Sequence, residues 1–560
     1  MEEYPRFLLP LRCLPAKIVV QNMFHRSFAW ASSKNRIPGS DSWVEGLWVL
    51  GLLLAAVILF SINLGTLPLR DWDEGTVAQV AREIALAPAG STRWVYPTLG
   101  GGPYLNKPPL LHWLIAIAYK IGGINEWTTR LPSAMLTAFS VPLLYGIGRE
   151  IFKGRTPAIF SALIYLTLLP VVRHGRLAML DGPVLCFFLL MIWSVLRSRR
   201  DLRWTLGAGI GFGLIWFTKG IMGFLLGAIA VGFLAWDTPR LLTSWYLWTG
   251  LLLGIAPVLA WYTAQWLHYG QQFISTGIMG QSLGRIWEPV EAHQGPVWYY
   301  LLEILKYSWP WFLFWPQGWQ RIWEHLNLSW AKLVLVWSAV YLAAISIMAT
   351  KLPWYVLPIY PAIALAAGVQ LTEIHQHWPS HQSYPRPWAV ALSLMGVVTL
   401  TGCLYFSGLG TNQDGTLMLV FASAAFTFFV SAFLVMQREV QFIYILLWGS
   451  YVSLLLFMTS PHWIWELAEA YPVKPVAAMI RQLTPPRQPI YTSFAYNRPS
   501  LNFYSDRPVI SQSAEQLQQH WNQEAQPYLL LDPNALEQLQ LNEVKPLGSV
   551  LGWTLVTRET

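Results

Sequence analysis

The chain has 560 residues, of which 54% are apolar and only 12% are charged. Soluble globular proteins carry about 25% charged residues, so this composition excludes an ordinary soluble enzyme and predicts an α-helical integral membrane protein. The net charge of +8 is typical of basic cytoplasmic loops in a membrane protein and does not indicate nucleic-acid binding.

The N-terminal segment, residues 1–43, carries scattered lysines and arginines and no sustained apolar run, so it does not resemble a signal peptide. We expect it to be a cytoplasmic tail. The stretch from Phe7 to Phe28 is compatible with a basic amphipathic segment on the membrane surface and, at least equally, with a disordered tail.

Apolar runs long enough to cross a bilayer fill residues 44–460 and predict a transmembrane domain of about thirteen helices. These runs lie at 44–66, 131–150, 156–173, 182–197, 204–219, 220–236, 243–265, 298–317, 331–350, 353–371, 388–408, 416–436 and 441–460. The basic segments 148–155 and 197–203 indicate cytoplasmic loops, because lysine and arginine accumulate on that side. Counting from these loops places the first outer loop, 68–129, and three later connections on the outer face.

Residues 461–560 are more polar than the preceding chain. They contain a helix-like stretch at Ala514–Gln523 and short strand-like pieces at Pro489–Tyr491, Pro508–Ile510, Tyr528–Leu531 and Leu551–Val556. This pattern predicts a small α/β domain, which the odd number of spans places outside the cytoplasm.

An acidic cluster, Asp71, Asp73 and Glu74, follows the first apolar run almost directly. Carboxylates beside a membrane helix are costly to place and hard to explain as packing. The cluster therefore predicts a catalytic site at the membrane surface, and Arg70 beside it is a candidate structural partner of these acids.

Asp181 stands at the start of the fourth predicted span. A helix N-terminus favours a carboxylate, so an N-cap aspartate explains the position. A site residue is the alternative interpretation, and the presence of Asp73 on the same face of the membrane favours it.

Basic residues occur on the outer face, where the topology does not favour them. A lysine at a helix end is often an anchor that reaches towards the interface. Taken together, however, they form a plausible seat for an anionic group such as a phosphate. They are Lys107, Lys219, Lys351, Arg173 and Arg176.

His293 lies near Glu288 and Glu291 in a later outer loop. It is a candidate metal ligand or hydrogen-bond partner, and a surface histidine without a special role is the alternative.

Four motifs together carry a family resemblance: Asp73-Glu74, Asn106-Lys107-Pro108-Pro109-Leu110, Thr218-Lys219-Gly220, and the segment from Lys351 to Pro358. Their order and common side resemble the membrane glycosyltransferases of the GT-C superfamily. The greatest likeness is to the protein-mannosyltransferase-like group, families 39 and 83, which includes the transferases that place 4-amino-4-deoxy-L-arabinose on lipid A.

The resemblance implies a GT-C helix bundle in the inner membrane, with catalytic loops and a small C-terminal domain on the periplasmic side. It implies transfer of a sugar from a polyprenyl-phosphate carrier to an acceptor. Asp73 then matches the family's catalytic base, and Asp181 matches a second catalytic aspartate. The substrate- and donor-phosphate-binding positions are Tyr104, Lys107, Lys219, Tyr355, Arg176 and Glu74.

The chain departs from the lipid A transferases at several of these positions. A glutamate that helps them bind a metal is replaced by Asn106, and an Arg-Tyr pair is replaced by Thr76 and Val77. A histidine pair is reduced to His293. A divalent metal therefore stays open as a cofactor, and the acceptor stays open as a lipid, a glycan or a protein.

The expected reaction is a single displacement at the anomeric carbon with inversion. Asp73 is the predicted base, and Lys107, Lys219 and Arg176 are predicted to neutralise the leaving phosphate. The alternatives are a transporter or flippase of a lipid-linked anion, which would carry its charges near the bilayer midplane, and a non-catalytic assembly factor.

Overall fold

The computed structural model describes residues 41–289, 293–376, 384–408, 413–465 and 473–559. Nearly all of the predicted cytoplasmic tail, including the stretch from Phe7 to Phe28, lies outside these residues. The described chain is mainly helical up to residue 459 and contains both helices and a sheet after residue 473.

The first ten helices run from the first apolar segment to the middle of the chain. They are α1 Asp41–Ser61, α2 Asp73–Ala85, α3 Leu110–Gly122, α4 Glu126–Ile151, α5 Thr156–Leu166, α6 Leu169–Arg176, α7 Asp181–Arg197, α8 Trp204–Lys219, α9 Met222–Asp237 and α10 Trp245–Tyr269. The helical segment that follows α10 includes a π-helix at Ile274–Leu283.

The next seven helices complete the apolar part of the chain. They are α11 Tyr299–Tyr307, α12 Trp315–Glu324, α13 Ser329–Ile347, α14 Tyr360–Gln376, α15 Arg386–Phe406, α16 Gly415–Met436 and α17 Phe442–Thr459. A 3-10 segment, Pro353–Ile359, leads directly into α14.

Among the described residues, eight helical segments are long and apolar enough to cross a membrane, and the bent pair α5 and α6 makes a possible ninth. The chain is a multi-pass membrane protein, but the predicted count of thirteen spans is not confirmed. Two reasons stand out. The helices α7, α8 and α9 have only 17, 16 and 16 residues. The apolar run 298–317 is divided between α11, a 3-10 turn and the start of α12.

Helices α8 and α10 pack with their backbones nearly in contact. A Cβ atom on Gly209 would lie 2.1 Å from the carbonyl carbon of Gly250, and one on Gly213 would lie 2.1 Å from the carbonyl oxygen of Gly254. Small residues spaced four apart allow such close approach of membrane helices. This contact lies on α8, the helix that ends at Lys219.

The first outer loop has its own structure. Helix α2 carries Asp73 and Glu74 in its first turn, where the helix dipole favours acids. The strands β1 Thr98–Leu99 and β2 Gly102–Pro103 form a small antiparallel hairpin before α3. A capping box between Asn125 and Thr128 then starts α4.

The C-terminal region contains a five-stranded mixed sheet. Its strands are β3 Ile490–Thr492, β4 Val509–Ser511, β5 Leu529–Leu531, β6 Val544–Val550 and β7 Trp553–Arg558, in the order β4-β3-β5-β7-β6. The pairs β3–β4 and β3–β5 are parallel, whereas β5–β7 and β6–β7 are antiparallel. The accompanying helices are α18 Val473–Leu483, α19 Pro499–Ser505, α20 Ala514–Gln523 and α21 Pro533–Gln538.

Helix α19 packs on the first outer loop. Phe503 is buried in an apolar cluster with Leu69, Val77 and Ala78 of that loop. The hydroxyl of Tyr504 accepts a hydrogen bond from the backbone N–H of Leu69 at 2.9 Å. The C-terminal region is therefore in direct contact with the segment that carries the acidic cluster.

Candidate active site

A cavity of about 750 Å³ lies where the first outer loop, the starts and ends of several helices and the C-terminal region meet. Seven of the residues predicted to act in catalysis, substrate binding or metal binding line it: Asp73, Tyr104, Lys107, Asp181, Lys219, His293 and Tyr355. They come from six separated segments of the chain, so the fold assembles them from motifs that are far apart in sequence.

Asp73 lies at the cavity wall with 25% of its side chain exposed. Its Oδ2 is 3.4 Å from Nη2 of Arg70, whose side chain is almost fully buried. Arg70 also lies over the ring of Trp354, another wall residue, at 5.8 Å. The predicted partnership of Arg70 with the acidic cluster is therefore found at Asp73, whose carboxylate stays accessible to the cavity.

Glu74 does not line the cavity, although it was predicted to bind substrate. It is fully buried and forms a two-pronged ion pair with Arg130, with distances of 2.8 Å to Nε and 2.7 Å to Nη2. Backbone N–H groups of Arg70 and Ala178 also donate to it. Burial raises the pKa of Glu74, but Arg130 and these donors outweigh burial and hold that pKa below its ordinary value. Glu74 thus ties the start of α2 to Arg130 of α4 and to the backbone of Ala178 before α7.

Asp71, the first acid of the cluster, borders the cavity but is bound by other side chains. It is only 5% exposed. Its Oδ2 accepts a hydrogen bond from Nη1 of Arg498 at 2.6 Å, and its Oδ1 accepts one from the hydroxyl of Ser500. Both partners belong to the C-terminal region, which no local sequence pattern connects with Asp71.

Asp181 pairs with Lys219 across the cavity wall. The distance between Oδ1 of Asp181 and Nζ of Lys219 is 2.5 Å, and both side chains are largely buried. Leu180 occupies the N-cap position of α7, and no side chain caps this helix end. The N-cap explanation of Asp181 is therefore wrong, since its carboxylate is committed to the lysine.

Cationic groups gather around Tyr355 at one end of the cavity, which we call the cationic end: Lys107, Lys219 and Arg285. Nζ of Lys219 lies 5.1 Å from the centre of the Tyr355 ring. Arg285 donates from Nη1 to the Tyr355 hydroxyl at 3.2 Å. Lys107 donates to the carbonyl oxygen of Gln281 at 3.1 Å, while Arg285 donates to the Gln281 side chain.

Lys107 has an unusual titration. Burial, together with the neighbouring charges of Arg285 and Lys219, lowers its pKa to about 7. Tyr104 shifts in the opposite sense, because burial raises the pKa of its phenol. Tyr104 is therefore a neutral hydrogen-bond donor at the wall, whereas Lys107 changes charge near neutral pH.

Three basic residues predicted for the phosphate seat lie elsewhere. Arg176 is fully buried and donates to the carbonyl oxygens of Leu59 and Ile62 at the end of α1. Lys351 donates to carbonyl oxygens at the end of α13, and Arg173 to that of Trp463. Each donates to backbone carbonyl oxygens away from the cavity lining, so the predicted phosphate-binding role of Arg176 conflicts with its position.

His293 borders the cavity, whereas Glu291, which the sequence places near it, lies outside the described residues. Within the described parts of the chain, no three His, Cys, Asp or Glu side chains are grouped so that they could hold a metal ion. The position where the lipid A transferases have a metal-binding glutamate is Asn106, which also lines the cavity. A bound divalent metal therefore stays a prediction.

The structure adds wall residues that sequence reasoning missed: Arg285 on one side, and Trp72, Tyr496 and Arg498 on the other. For Arg285 the sequence offered a signal, since Arg285 is a basic residue in the predicted outer connection that also carries His293. Tyr496 and Arg498 gave no signal, because they lie more than 400 residues away from the acidic cluster.

The sequence of this chain is similar to those of known membrane proteins and matches one family model. The family model described as dolichyl-phosphate-mannose-protein mannosyltransferase matches residues 106–262. An undecaprenyl phosphate-alpha-4-amino-4-deoxy-L-arabinose arabinosyl transferase of Pseudomonas fluorescens is 30% identical over 58% of this chain and 60% of its own length. An uncharacterized protein of Aquifex aeolicus is 26% identical over 83% of this chain and 88% of its own.

A solved structure extends the match to nearly the whole chain. The crystal structure of ArnT from Cupriavidus metallidurans bound to undecaprenyl phosphate superposes with a TM-score of 0.74 at 19% identity, covering 93% of this chain and 98% of that one. The chain has the GT-C glycosyltransferase fold. The resemblance that the four motifs predicted, to GT-C enzymes similar to the aminoarabinose lipid A transferases, is confirmed. The chain matches about 60% of the length of the Pseudomonas relative, so the relative's own substrates are not thereby assigned to it.

Proposed function

We propose that this protein is a glycosyltransferase that moves a hexosyl or pentosyl group from a polyprenyl-phosphate donor to a hydroxyl or phosphate on a lipid, a glycan or a protein. The observation that carries the proposal is the cavity itself. It joins an accessible carboxylate, Asp73, to a separate group of cations around Tyr355. Glycosyl transfer from a phosphate-linked donor needs a base to deprotonate the acceptor and cations to neutralise the leaving phosphate, and this cavity combines both.

The proposed reaction is one displacement. The acceptor oxygen attacks the anomeric carbon and forms the new glycosidic bond, while the bond from that carbon to the phosphate oxygen breaks. The acceptor's proton passes to Asp73. The leaving polyprenyl phosphate keeps the electron pair, and the cationic end holds its negative charge. In this proposal Arg285, and not Arg176, helps to neutralise the leaving phosphate, because Arg285 lines the cavity and Arg176 does not.

We place the cavity and the C-terminal region on the periplasmic side of the inner membrane. The positive-inside distribution of lysine and arginine supports this orientation. The apolar carrier tail would lie against the helices beside the cavity, and the described exposed faces of α1 and α10 are rich in leucine and tryptophan.

The test is transfer in proteoliposomes. Purified protein is supplied with radiolabelled undecaprenyl-phosphate pentose or hexose and a panel of lipid, glycan and peptide acceptors. We expect label in one acceptor class, and loss of transfer in Asp73→Asn with donor binding retained. The matched control is Asp201→Asn, because Asp201 is an exposed acid outside the cavity.

Three results would contradict the proposal. Wild-type rates in Asp73→Asn would remove Asp73 as the base. Retention of the donor's anomeric configuration in the product would exclude a single displacement. Movement of the labelled donor across the vesicle without covalent transfer would favour the transporter alternative.

A further inference from the structure

Asp71, two residues before Asp73, is held entirely by the C-terminal region. Its two carboxylate oxygens are taken by Arg498, at 2.6 Å, and by the Ser500 hydroxyl. The side chains of Asp71 and Arg498 are 6% and 16% exposed. Charges paired away from water interact more strongly than a surface pair does, so this contact restrains the chain next to Asp73.

Trp72, the residue between the two aspartates, is held by the same segment. Its ring stacks on that of Tyr496, with centroids 6.0 Å apart and planes inclined by 29°. The guanidinium of Arg498 lies 5.0 Å from the centre of the same Tyr496 ring and 4.6 Å from that of Phe494. Arg498 thus joins the acid and the aromatic contact into one unit.

Gly75, which follows the pair Asp73-Glu74, also packs against the C-terminal region. A Cβ atom on Gly75 would lie only 2.7 Å from the backbone nitrogen of Ser500. The first turn of α2 is therefore pressed against the start of α19. Its other side is fixed by the ion pair between Glu74 and Arg130, so Asp73 lies between one anchor in the helix bundle and one in the C-terminal region.

We propose that Asp71 and Arg498 form a latch by which the C-terminal region positions Asp73 for transfer. The inference rests on the proposed role of Asp73 as the base. In this assignment Arg498 is a positioning residue, since its guanidinium is engaged with Asp71 and acts on the reaction through the placement of the neighbouring carboxylate. A displacement of a catalytic group by about 1 Å costs about 100-fold in rate, so the latch has a measurable consequence.

The experiment compares Arg498→Gln with the wild-type protein in nanodiscs by two measurements. The first is transfer kinetics, and we expect kcat to fall about 10- to 100-fold with the donor KM unchanged. The second is hydrogen exchange of a peptide covering residues 69–77, which we expect to become faster. The conservative variant Arg498→Lys keeps the charge and should recover part of the rate. Asp71→Asn combined with Arg498→Gln should be no slower than the slower single variant, because both remove one contact.

Arg82→Gln is the matched control. Arg82 and Asp506 form another ion pair in the same α2–α19 contact, but at the far end of α2, where the Asp506 side chain is 61% exposed. Its loss should leave both kcat and the exchange of residues 69–77 as in the wild-type protein.

Each other result decides against the latch in a distinct way. Unchanged exchange in Arg498→Gln would show that the contact does not restrain the segment. Faster exchange with wild-type kcat would show that the segment does not position the base. A raised donor KM with normal kcat would make Arg498 a binding residue instead. Absence of transfer by the wild-type protein would overturn the proposed function, while the exchange comparison would still decide whether the contact restrains residues 69–77.

Discussion

Asp181 and Lys219 form an ion pair of 2.5 Å at the wall of the cavity. The carboxylate therefore offsets one of the three cations that surround Tyr355. The remaining positive charge at the cationic end comes from Arg285 and, when it is protonated, from Lys107.

This pairing predicts that loss of Lys219 alone weakens donor use more than loss of Lys219 and Asp181 together. In Lys219→Met, the Asp181 carboxylate loses its partner and repels the donor phosphate, so we expect the donor KM to rise about tenfold, equivalent to about 1.4 kcal/mol. Adding Asp181→Asn should lower the KM again. Steady-state kinetics with a fixed acceptor concentration measures this. If the double variant recovers the donor KM but has a lower kcat than Lys219→Met, the Asp181 carboxylate itself takes part in transfer.

Lys107 predicts a pH dependence of donor use. Its pKa is lowered to about 7, so the ammonium is present below that pH and is lost as the pH rises through it. We expect kcat/KM for the donor to fall above about pH 7, because this parameter reports ionisations of the free enzyme.

The control for that profile is Lys107→Arg. A guanidinium stays charged throughout this range, so the fall above pH 7 should disappear even if the overall rate is lower. A fall that persists in Lys107→Arg would assign the ionisation to another group.

The buried pair of Glu74 and Arg130 predicts a loss of stability more than a specific loss of chemistry. Glu74→Ala leaves a fully buried guanidinium without its counter-charge, and removal of one partner from such a pair costs about 3–5 kcal/mol. We expect a lower midpoint in thermal or denaturant unfolding in detergent. If Glu74→Ala unfolds at the wild-type midpoint but has lost transfer activity, Glu74 acts in substrate binding, as the sequence predicted.

Gly75 predicts a steric effect on the same region. Gly75→Ala places a methyl group 2.7 Å from the Ser500 backbone nitrogen, so α19 has to move away from α2 and transfer should decrease. Gly51→Ala is the matched control, since a Cβ on Gly51 meets nothing within 4 Å. Equal activity of the two variants would contradict the close contact.

The motifs in the sequence predicted residues that the fold brings together. Asp73, Tyr104, Lys107, Asp181, Lys219 and Tyr355 all line one cavity, while their catalytic and binding roles stay predictions. Local patterns were also sufficient for α20, whose bounds match the predicted Ala514–Gln523. A Ser513–Gln516 capping box starts this helix.

Prediction failed where long-range partners decide the role of a side chain. Arg176 looks like an anion-binding residue in the sequence, yet two carbonyl oxygens at the end of α1 use its donors. Asp71 belongs to the acidic cluster in the sequence, but its partners Arg498 and Ser500 are known only from the fold. Strand β6 was missed because its residues, Val544–Val550, include a lysine, a proline and a glycine and show no clear alternation.

The contact of Asp71 with Arg498 spans 427 residues of sequence. Ribosomes add about 5–20 residues per second, so roughly 20 to 85 seconds separate the synthesis of the acidic cluster from that of its partners. During this interval the helices can insert, but the cavity lacks the wall formed by Tyr496 and Arg498. The order of biogenesis thus keeps the nascent chain from having a complete site before its last segment has been synthesised and folded.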